Sequence, residues 1–207
     1  TRPELIKLFP LINKMEEEKI PHATLFTGQH RDLISEFKDL VSFPTFELDK
    51  VMTPNQSINA LLSKIINKSD LIVNNKDYRV IVQGDAASTY AIALSAFNNK
   101  KEVIHLEAGL RTHNLNSPFP EEGYRKMISQ IANVHLCPTE KATENLNLEG
   151  ISENVHLVGN TIVDSYKLIL NKGKVSSNIE KIIENSDEFY LCTLHRRENR
   201  EHFYNMW

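Results

Sequence analysis

The chain has 207 residues, of which 41% are hydrophobic and 25% are charged, and its formal net charge is −3. This composition is typical of a globular protein with a packed core, and the length suits one large domain or one domain with part of another. The slight negative charge argues against a nucleic-acid-binding protein, and no apolar run approaches the roughly 18 residues of a membrane span. Cys137 and Cys192 lie far apart in sequence. They form no metal-binding pattern, which favours a reduced, cytoplasmic location and no bound metal.

Short apolar runs alternate with longer amphipathic segments along the chain. In chain order we predict helix 3–18, strand 23–26, helix 30–40, helix 56–72, strand 78–82, helix 86–98, strand 103–106, helix 121–132, strand 134–137, helix 140–148, strand 155–158, helices 160–172 and 177–184, and strand 189–193. This alternation predicts an α/β fold, a doubly wound parallel sheet covered on both faces by helices. A further parallel strand is expected directly before residue 1, because the first helix needs a sheet to pack on.

The domain organisation follows from a polar stretch near the carboxyl end. Residues 176–187 are polar and form the best candidate linker. We therefore predict one domain over 1–175, without its first strand, followed by a linker and the first strand of a second domain over 176–207. The start on threonine and the aromatic-rich end suggest a fragment of a longer protein.

Polar residues and glycines follow each of the predicted strands. The glycines are Gly28, Gly84, Gly109 and Gly159. The carboxyl ends of parallel strands lie along one edge of a sheet, where ligands of open α/β folds bind. Loops after strands are polar in most α/β proteins, which explains part of the pattern. Glycine at these loops adds weight to a ligand site, because it allows tight turns and close backbone approach.

Cationic side chains occur at the amino end of the first predicted helix. Arg2 adds positive charge where the helix dipole is already positive, and Lys7 lies one turn further on. This arrangement is mildly unfavourable unless an anion binds there, so a phosphate or carboxylate site is one interpretation. A solvated surface charge is the other.

Carboxylates follow two neighbouring strands. Asp85 either faces a ligand or caps helix 86–98. Glu107 and Arg111 lie four residues apart after the next strand and either contact a ligand or pair with each other in a loop. His105 is expected to be a packed, hydrogen-bonded residue of the sheet.

Two further charged clusters lie closer to the carboxyl end. Glu121 and Glu122 begin a helix after a rigid Pro-Phe-Pro segment, and Arg125 and Lys126 lie at helical spacing to pair with them. A structural role suits Glu122. For Glu121 both a structural and a functional role stay open, because the rigid Pro-Phe-Pro segment fixes the direction of its side chain. The cationic segment 195–197 suits a diphosphate, which arginine binds through two oxygens, or it is a solvated turn.

These motifs, in this order, resemble the bacterial non-hydrolysing UDP-N-acetylglucosamine 2-epimerases along nearly the whole chain. The matching segments are Thr1-Arg2-Pro3-Glu4 with Lys7, Gly28-Gln29-His30-Arg31, Gly84-Asp85, His105-Leu106-Glu107-Ala108-Gly109-Leu110-Arg111-Thr112, Pro118-Phe119-Pro120-Glu121-Glu122 with Arg125, Pro138-Thr139-Glu140, Gly159-Asn160-Thr161-Ile162-Val163-Asp164 and His195-Arg196-Arg197-Glu198. Hydrolysing members of the wider family lack the Glu-Ala-Gly-Leu-Arg-Thr form.

The resemblance implies the amino-terminal half of a glycosyltransferase-B-like fold, in which UDP-sugar binds between two Rossmann-like domains. It implies interconversion of UDP-GlcNAc and UDP-ManNAc, a step used in bacterial surface-polysaccharide synthesis, by a homodimer without a cofactor. The alternatives are a hydrolysing UDP-GlcNAc 2-epimerase and a non-catalytic nucleotide-sugar-binding module.

The resemblance also implies roles for individual residues. Elimination of UDP and its re-addition require an acid and a base on opposite faces of the sugar, and positive charge for the leaving diphosphate. The implied catalytic residues are Asp85, Glu107, Glu121 and His195, the implied substrate contacts are Arg2, Lys7, Arg111 and Arg125, and a regulatory UDP-GlcNAc site is implied near Gln29 and His30. Leu194 departs from the family, which has glycine there. Because the second domain of the family supplies most nucleotide contacts, the 207-residue chain is expected to be inactive alone.

Overall fold

The computed structural model describes residues 2–28, 45–74, 78–172, 177–185 and 188. The chain divides into two compact units, Thr1–Ile169 and Leu170–Trp207. In chain order the elements are α1 (Arg2–Glu17), β1 (Thr24–Phe26), β2 (Thr45–Glu47), α2 (Ile58–Val73), β3 (Val80–Gln83), α3 (Ala87–Asn98), β4 (Val103–Leu106), α4 (Glu121–Ile131), β5 (Val134–Cys137), α5 (Glu140–Leu148), β6 (Val155–Leu157), α6 (Ile162–Lys172) and α7 (Ser177–Glu184). Predicted helix 30–40 and predicted strand 189–193 lie outside the described residues.

Every strand pairing in the described part of the chain is parallel. Strand β1 pairs with β2, and β3, β4, β5 and β6 form a second sheet in that order. The predicted parallel α/β architecture is therefore confirmed. Strand β2 was not predicted, because Phe46 is the single apolar residue of its Thr-Phe-Glu sequence and no apolar run marks it.

The main core lies between strands β3 and β4 and helices α2, α3 and α4. Val82 and Val103 from the strands are buried together with Ile65, Ala91 and Ile128 from the helices. Both strands are almost continuously apolar, as is usual for parallel strands covered on both faces. Small side chains on α3 let α2 pack closely against it. This core fixes the carboxyl ends of β3 and β4, where the polar loops begin.

None of the helices in the described ranges is both long and apolar enough to cross a bilayer.

Among the five glycines at 84, 109, 123, 150 and 159, Gly109 is the one whose replacement is expected to damage the fold most directly. Its φ is +82°, and a Cβ built there would lie 2.2 Å from the carbonyl oxygen of Ala142. Gly109→Ala is therefore expected to lower the free energy of unfolding by more than the roughly 1–2 kcal/mol that left-handed backbone strain costs alone. Urea unfolding of the chain measures this. Gly150→Ala is the matched control, since Gly150 has φ +80° and nothing within 4 Å of the added Cβ. Equal losses in the two variants would contradict the prediction.

Candidate functional site

Glu107 lies at the point where the polar loops meet. It directly follows β4 and has the left-handed backbone, φ 67°, that a residue with a side chain seldom adopts. Both of its carboxylate oxygens accept a hydrogen bond from the Lys7 ammonium, at 2.7 Å each. Gln83 donates to the same carboxylate at 2.5 Å and Asn160 at 3.0 Å. Donors from α1, β3 and the segment before α6 thus fix one carboxylate at the carboxyl edge of the sheet.

This arrangement decides between the two interpretations of Glu107 and Arg111. Glu107 pairs with Lys7, and the Arg111 guanidinium makes a bidentate ion pair with Glu149, at 2.9 and 2.7 Å. The alternative of a loop salt bridge between Glu107 and Arg111 is therefore wrong. Nη1 of Arg111 donates to the Leu110 carbonyl, Nη2 donates to the Ser129 hydroxyl as well as to Glu149, and the side chain is fully buried. The predicted contact of Arg111 with substrate stays a prediction.

The hydrogen bonds from Arg111 hold the pKa of the Glu149 carboxyl below its ordinary value. Lys126, whose ammonium lies 3.3 Å from the same carboxylate, lowers this pKa further. Glu149 was not singled out from the sequence. It lies at the end of α5, 38 residues from Arg111, and no local pattern links the two.

His105 is the buried histidine that we predicted within the sheet. Its Nε2 donates to the carbonyl of Gly84, the residue before Asp85, at 2.9 Å. Burial lowers the pKa of His105 to about 4, so the imidazole is neutral near pH 7 with its hydrogen on Nε2. The predicted structural role is confirmed.

The low pKa of His105 makes stability depend on pH. The unfolded chain binds this proton near pH 6.5 and the folded chain near pH 4, so stability should fall as pH decreases between these values. The expected loss from this residue is about 2 kcal/mol between pH 7 and pH 5. Glutamine can still donate to Gly84 but does not titrate. Urea unfolding of the chain and of His105→Gln at both pH values measures the difference, and parallel pH profiles would contradict it.

Asp85 contacts a cation rather than capping the following helix. Its carboxylate lies 2.5 Å from the Arg125 guanidinium. The N-cap of α3 is Ala86, which makes no side-chain capping bond. The capping interpretation of Asp85 is therefore wrong, and Arg125 connects this carboxylate to helix α4.

Glu122 anchors the other side of Arg125. Its carboxylate is fully buried and accepts hydrogen bonds from Arg125 at 3.2 Å and from the backbone N–H groups of Thr112 and His113 at 3.0 Å each. Burial alone would raise the pKa of Glu122, but these donors together hold it below the ordinary value. The predicted pairing of Glu122 with Arg125 is confirmed, but the predicted pairing of Lys126 with these glutamates is wrong, because Lys126 pairs with Glu149. The amide contacts were missed, since they come from a loop whose path the sequence does not reveal.

Glu121 begins helix α4 after two cis peptide bonds, Ser117–Pro118 and Phe119–Pro120. Within the described ranges, its carboxylate has no hydrogen-bond or ion-pair partner. Burial, and then the Glu121 charge, raise the pKa of the Tyr124 phenol, whose ring stacks on Tyr90 with centroids 4.9 Å apart. Glu121 thus differs from Asp85 and Glu107, both of which are paired with a cation.

The side chains of four predicted site residues are not described by the structure. Arg2 begins α1, but its side chain is not described. Gln29, His30 and His195 lie outside the described residues. Their roles toward diphosphate and in regulation stay predictions.

The site as a whole combines acidic and basic groups in pairs. Lys7 neutralises Glu107 and Arg125 neutralises Asp85, with exposed fractions between 12% and 27% for these four side chains. Such partly exposed pairs can exchange their internal contacts for contacts with a charged ligand. The arrangement provides carboxylates for proton transfer beside cations for an anionic group.

Comparisons with known proteins agree on one family. The family model described as UDP-N-acetylglucosamine 2-epimerase matches residues 13–206. A UDP-N-acetylglucosamine 2-epimerase of Neisseria meningitidis is 36% identical over 208 residues, which cover 96% of this chain and 56% of the relative. A solved structure of the UDP-GlcNAc 2-epimerase from Neisseria meningitidis, bound to UDP-GlcNAc, is 36% identical with a TM-score of 0.77, covering 89% of this chain and 51% of that one.

A second solved relative is the Methanocaldococcus jannaschii UDP-GlcNAc 2-epimerase in complex with UDP-GlcNAc and UDP. It is 32% identical with a TM-score of 0.83, covering 97% of this chain and 56% of that one. These likenesses confirm the predicted fold, a Rossmann-like part of a glycosyltransferase-B-like architecture. The chain spans about half the length of the relatives that it matches. On this match, the chain belongs to the UDP-N-acetylglucosamine 2-epimerase family.

Proposed function

We propose that this chain carries the acid–base part of a non-hydrolysing UDP-GlcNAc 2-epimerase, which interconverts UDP-GlcNAc and UDP-ManNAc. The observation that carries the proposal is the Glu107 carboxylate, held by Lys7, Gln83 and Asn160 at the carboxyl edge of the sheet. It lies after the strand next to the one that leads to Asp85. Relatives crystallised with UDP-GlcNAc and UDP support this substrate class.

The chemistry needs two proton-transfer groups and a stabilised leaving group. A base takes the proton from C2 of the sugar while the C1–O bond to UDP breaks, and the electron pair of that bond leaves on the diphosphate. The sugar that then carries a double bond between C1 and C2 is a glycal. UDP then adds back at C1 while an acid delivers a proton to the opposite face of C2.

The described residues suit these roles. Asp85, Glu107 and Glu121 are the proposed acid–base set, and Glu121 has no ion-pair partner among the described residues. Lys7 and Arg125 supply positive charge within reach of the first two carboxylates. The proposal includes His195 and Arg2 facing the diphosphate, a regulatory site near residues 29–30, and a cytoplasmic homodimer that acts without a cofactor.

The test is a hybrid enzyme in which this chain replaces the matched segment of the Neisseria meningitidis relative. In D2O, the hybrid should form UDP-ManNAc from UDP-GlcNAc with deuterium at C2 and without accumulating UDP. Free ManNAc and UDP would favour the hydrolysing alternative. A hybrid that folds and binds UDP-GlcNAc but neither epimerises nor hydrolyses it would favour the non-catalytic module.

The isolated 207-residue chain is expected to show no measurable turnover. Lys7 and Arg125, the basic side chains described next to the carboxylates of the site, are both paired with those carboxylates. They leave little free positive charge for a diphosphate, and the chain spans about half the length of its relatives. Assaying UDP-ManNAc formation by the chain, beside the hybrid, measures this. Turnover by the isolated chain at the rate of the hybrid would contradict the expectation.

A further inference from the structure

The side-chain amide of Asn160 makes two hydrogen bonds with very different partners. Its Oδ1 accepts from the backbone N–H of Ile162 at 3.1 Å, and its Nδ2 donates to Oε1 of Glu107 at 3.0 Å. The first bond closes the start of helix α6, as asparagine commonly does at the beginning of a helix. The second reaches a carboxylate 53 positions away in sequence. One side chain therefore connects the start of α6 to the centre of the candidate site.

The bond to Ile162 decides which way round the Asn160 amide lies. A backbone N–H can only donate, so the amide atom that faces it must be the oxygen. The amide nitrogen then faces Glu107, and this nitrogen can only donate. Turning the amide by 180° would set donor against donor at Ile162 and acceptor against acceptor at Glu107. Asn160 is therefore a donor to Glu107 with a fixed direction.

Helix α6 gives this donor a fixed place. Ser165, in the first turn of α6, is buried, and its hydroxyl donates to the carbonyl of Ile6 in α1 at 2.5 Å. Ile6 directly precedes Lys7, whose ammonium donates to both oxygens of Glu107. The flexible Lys7 side chain can turn from Glu107 to a phosphate without any backbone movement, whereas Asn160 is held by its own helix. Oε1 of Glu107 thus keeps a donor when Lys7 turns away.

We propose that Asn160 is a positioning residue for Glu107, whose amide fixes the direction of the carboxylate while Lys7 turns to the diphosphate. The inference rests on the proposed function, in which Glu107 belongs to the acid–base set. A general base works only when its oxygen is directed at the proton that it takes, and a misplacement of about 1 Å can cost roughly a hundredfold in rate. Asn160 acts through Glu107 and needs no contact with the sugar.

The experiment compares Asn160→Ser and Asn160→Asp in the hybrid enzyme. Both replacements are favourable at a helix start and can still accept from Ile162. Serine is too short to reach Glu107, and aspartate places a second carboxylate beside it. We expect kcat to fall about 10- to 100-fold with serine and further with aspartate. In the serine variant, KM for UDP-GlcNAc and the urea midpoint should change little.

An isotope effect separates positioning from a purely structural role. With UDP-GlcNAc that carries deuterium at C2, the isotope effect on kcat should rise in both variants, because removal of the C2 proton becomes slower relative to the other steps. The matched control is Asn67→Ser on the exposed face of α2, where Asn67 donates to the Ser63 hydroxyl. This control should keep both kcat and the isotope effect of the unsubstituted hybrid.

A role in capping α6 alone predicts a different result. Serine, aspartate and asparagine begin helices about equally well, so both Asn160 variants would then keep the kcat of the unsubstituted hybrid. That result would overturn the proposal. Parallel losses of kcat and urea stability with an unchanged isotope effect would overturn it as well.

The inference and the proposed function fail separately. An unsubstituted hybrid that shows no turnover contradicts the proposed function. NMR of the 207-residue chain then decides the inference, since one side-chain N–H proton of Asn160 should move upfield in Glu107→Ala, where its acceptor is lost. If that proton does not move, Asn160 does not hold Glu107 and the inference is wrong.

Discussion

Glu107→Gln is expected to lower the turnover of the hybrid enzyme by about 10³-fold, within the range that removal of a general acid or base produces. Glutamine keeps the shape of the side chain but cannot accept a proton. It also faces the Lys7 ammonium, which lies 2.7 Å from both Glu107 oxygens, without a negative charge. Both effects act on the proposed proton transfer. UDP-ManNAc formation and deuterium incorporation at C2 measure the loss.

The matched control is Glu144→Gln. Glu144 pairs with Lys141 on the exposed face of α5, with exposed fractions of 61% and 71%, so the same chemical change there should leave turnover nearly unaltered. Binding of UDP-GlcNAc by the Glu107→Gln hybrid shows whether the site still forms. Turnover within threefold of the unsubstituted hybrid would remove Glu107 from the acid–base set.

Glu122→Gln is expected to weaken both the fold and the site. The amide offers one acceptor oxygen where the carboxylate offers two, so one of the two backbone N–H groups, of Thr112 or His113, loses its partner. Arg125 also loses a buried anionic partner. Breaking a buried, hydrogen-bonded charge network of this kind should lower the free energy of unfolding by about 3 kcal/mol. Urea unfolding of the 207-residue chain measures it.

The pH dependence gives a second readout of the same residue. The pKa of Glu122 is held below its ordinary value of 4.5. Its contribution to stability is therefore complete above that pH and is lost as pH falls through the lower folded pKa. Glu122→Gln should lack this part of the acid destabilisation.

The variant Glu121→Gln tests whether the neighbouring Glu121, unlike Glu122, acts in catalysis rather than in stability. Glu121 makes no ion pair among the described residues, so its replacement should leave stability nearly unchanged while turnover of the hybrid falls. The opposite pattern, with Glu121→Gln unstable and Glu122→Gln stable, would contradict the assignment of the two glutamates. Reduced turnover in Glu122→Gln is expected to follow from a displaced Arg125, whose guanidinium lies 2.5 Å from Asp85.

Local sequence patterns were sufficient for most of the fold. Strands 103–106 and 134–137 and helices 140–148 and 177–184 were predicted with the bounds that the structure has. Their apolar runs and flanking turn residues carry a strong local signal, because strand and helix periods are set by backbone geometry. Strand β2 was missed because its Thr-Phe-Glu sequence holds no apolar run, and it is stabilised by pairing with β1, a contact across 21 positions of sequence.

The site was only partly predictable. That polar loops converge at one edge follows from the parallel order of the strands, which made Asp85 and Glu107 candidates, and the family resemblance then implied the acid–base set of Asp85, Glu107 and Glu121. Ion-pair partners depend on distances between segments far apart in the chain. Lys7 and Glu107 are 100 positions apart, and Arg111 and Glu149 are 38 apart. The nearest opposite charge in sequence was therefore the wrong partner for both Glu107 and Arg111.

The sequence by itself determined the α/β class, the order of most elements and the family, because each depends on short patterns or on motif order. Only the tertiary structure decided which cation holds which carboxylate and why Glu122 is buried. The physical reason is that propensity and periodicity act over a few residues, whereas ion pairing, burial and sheet edges depend on which segments the chain brings together.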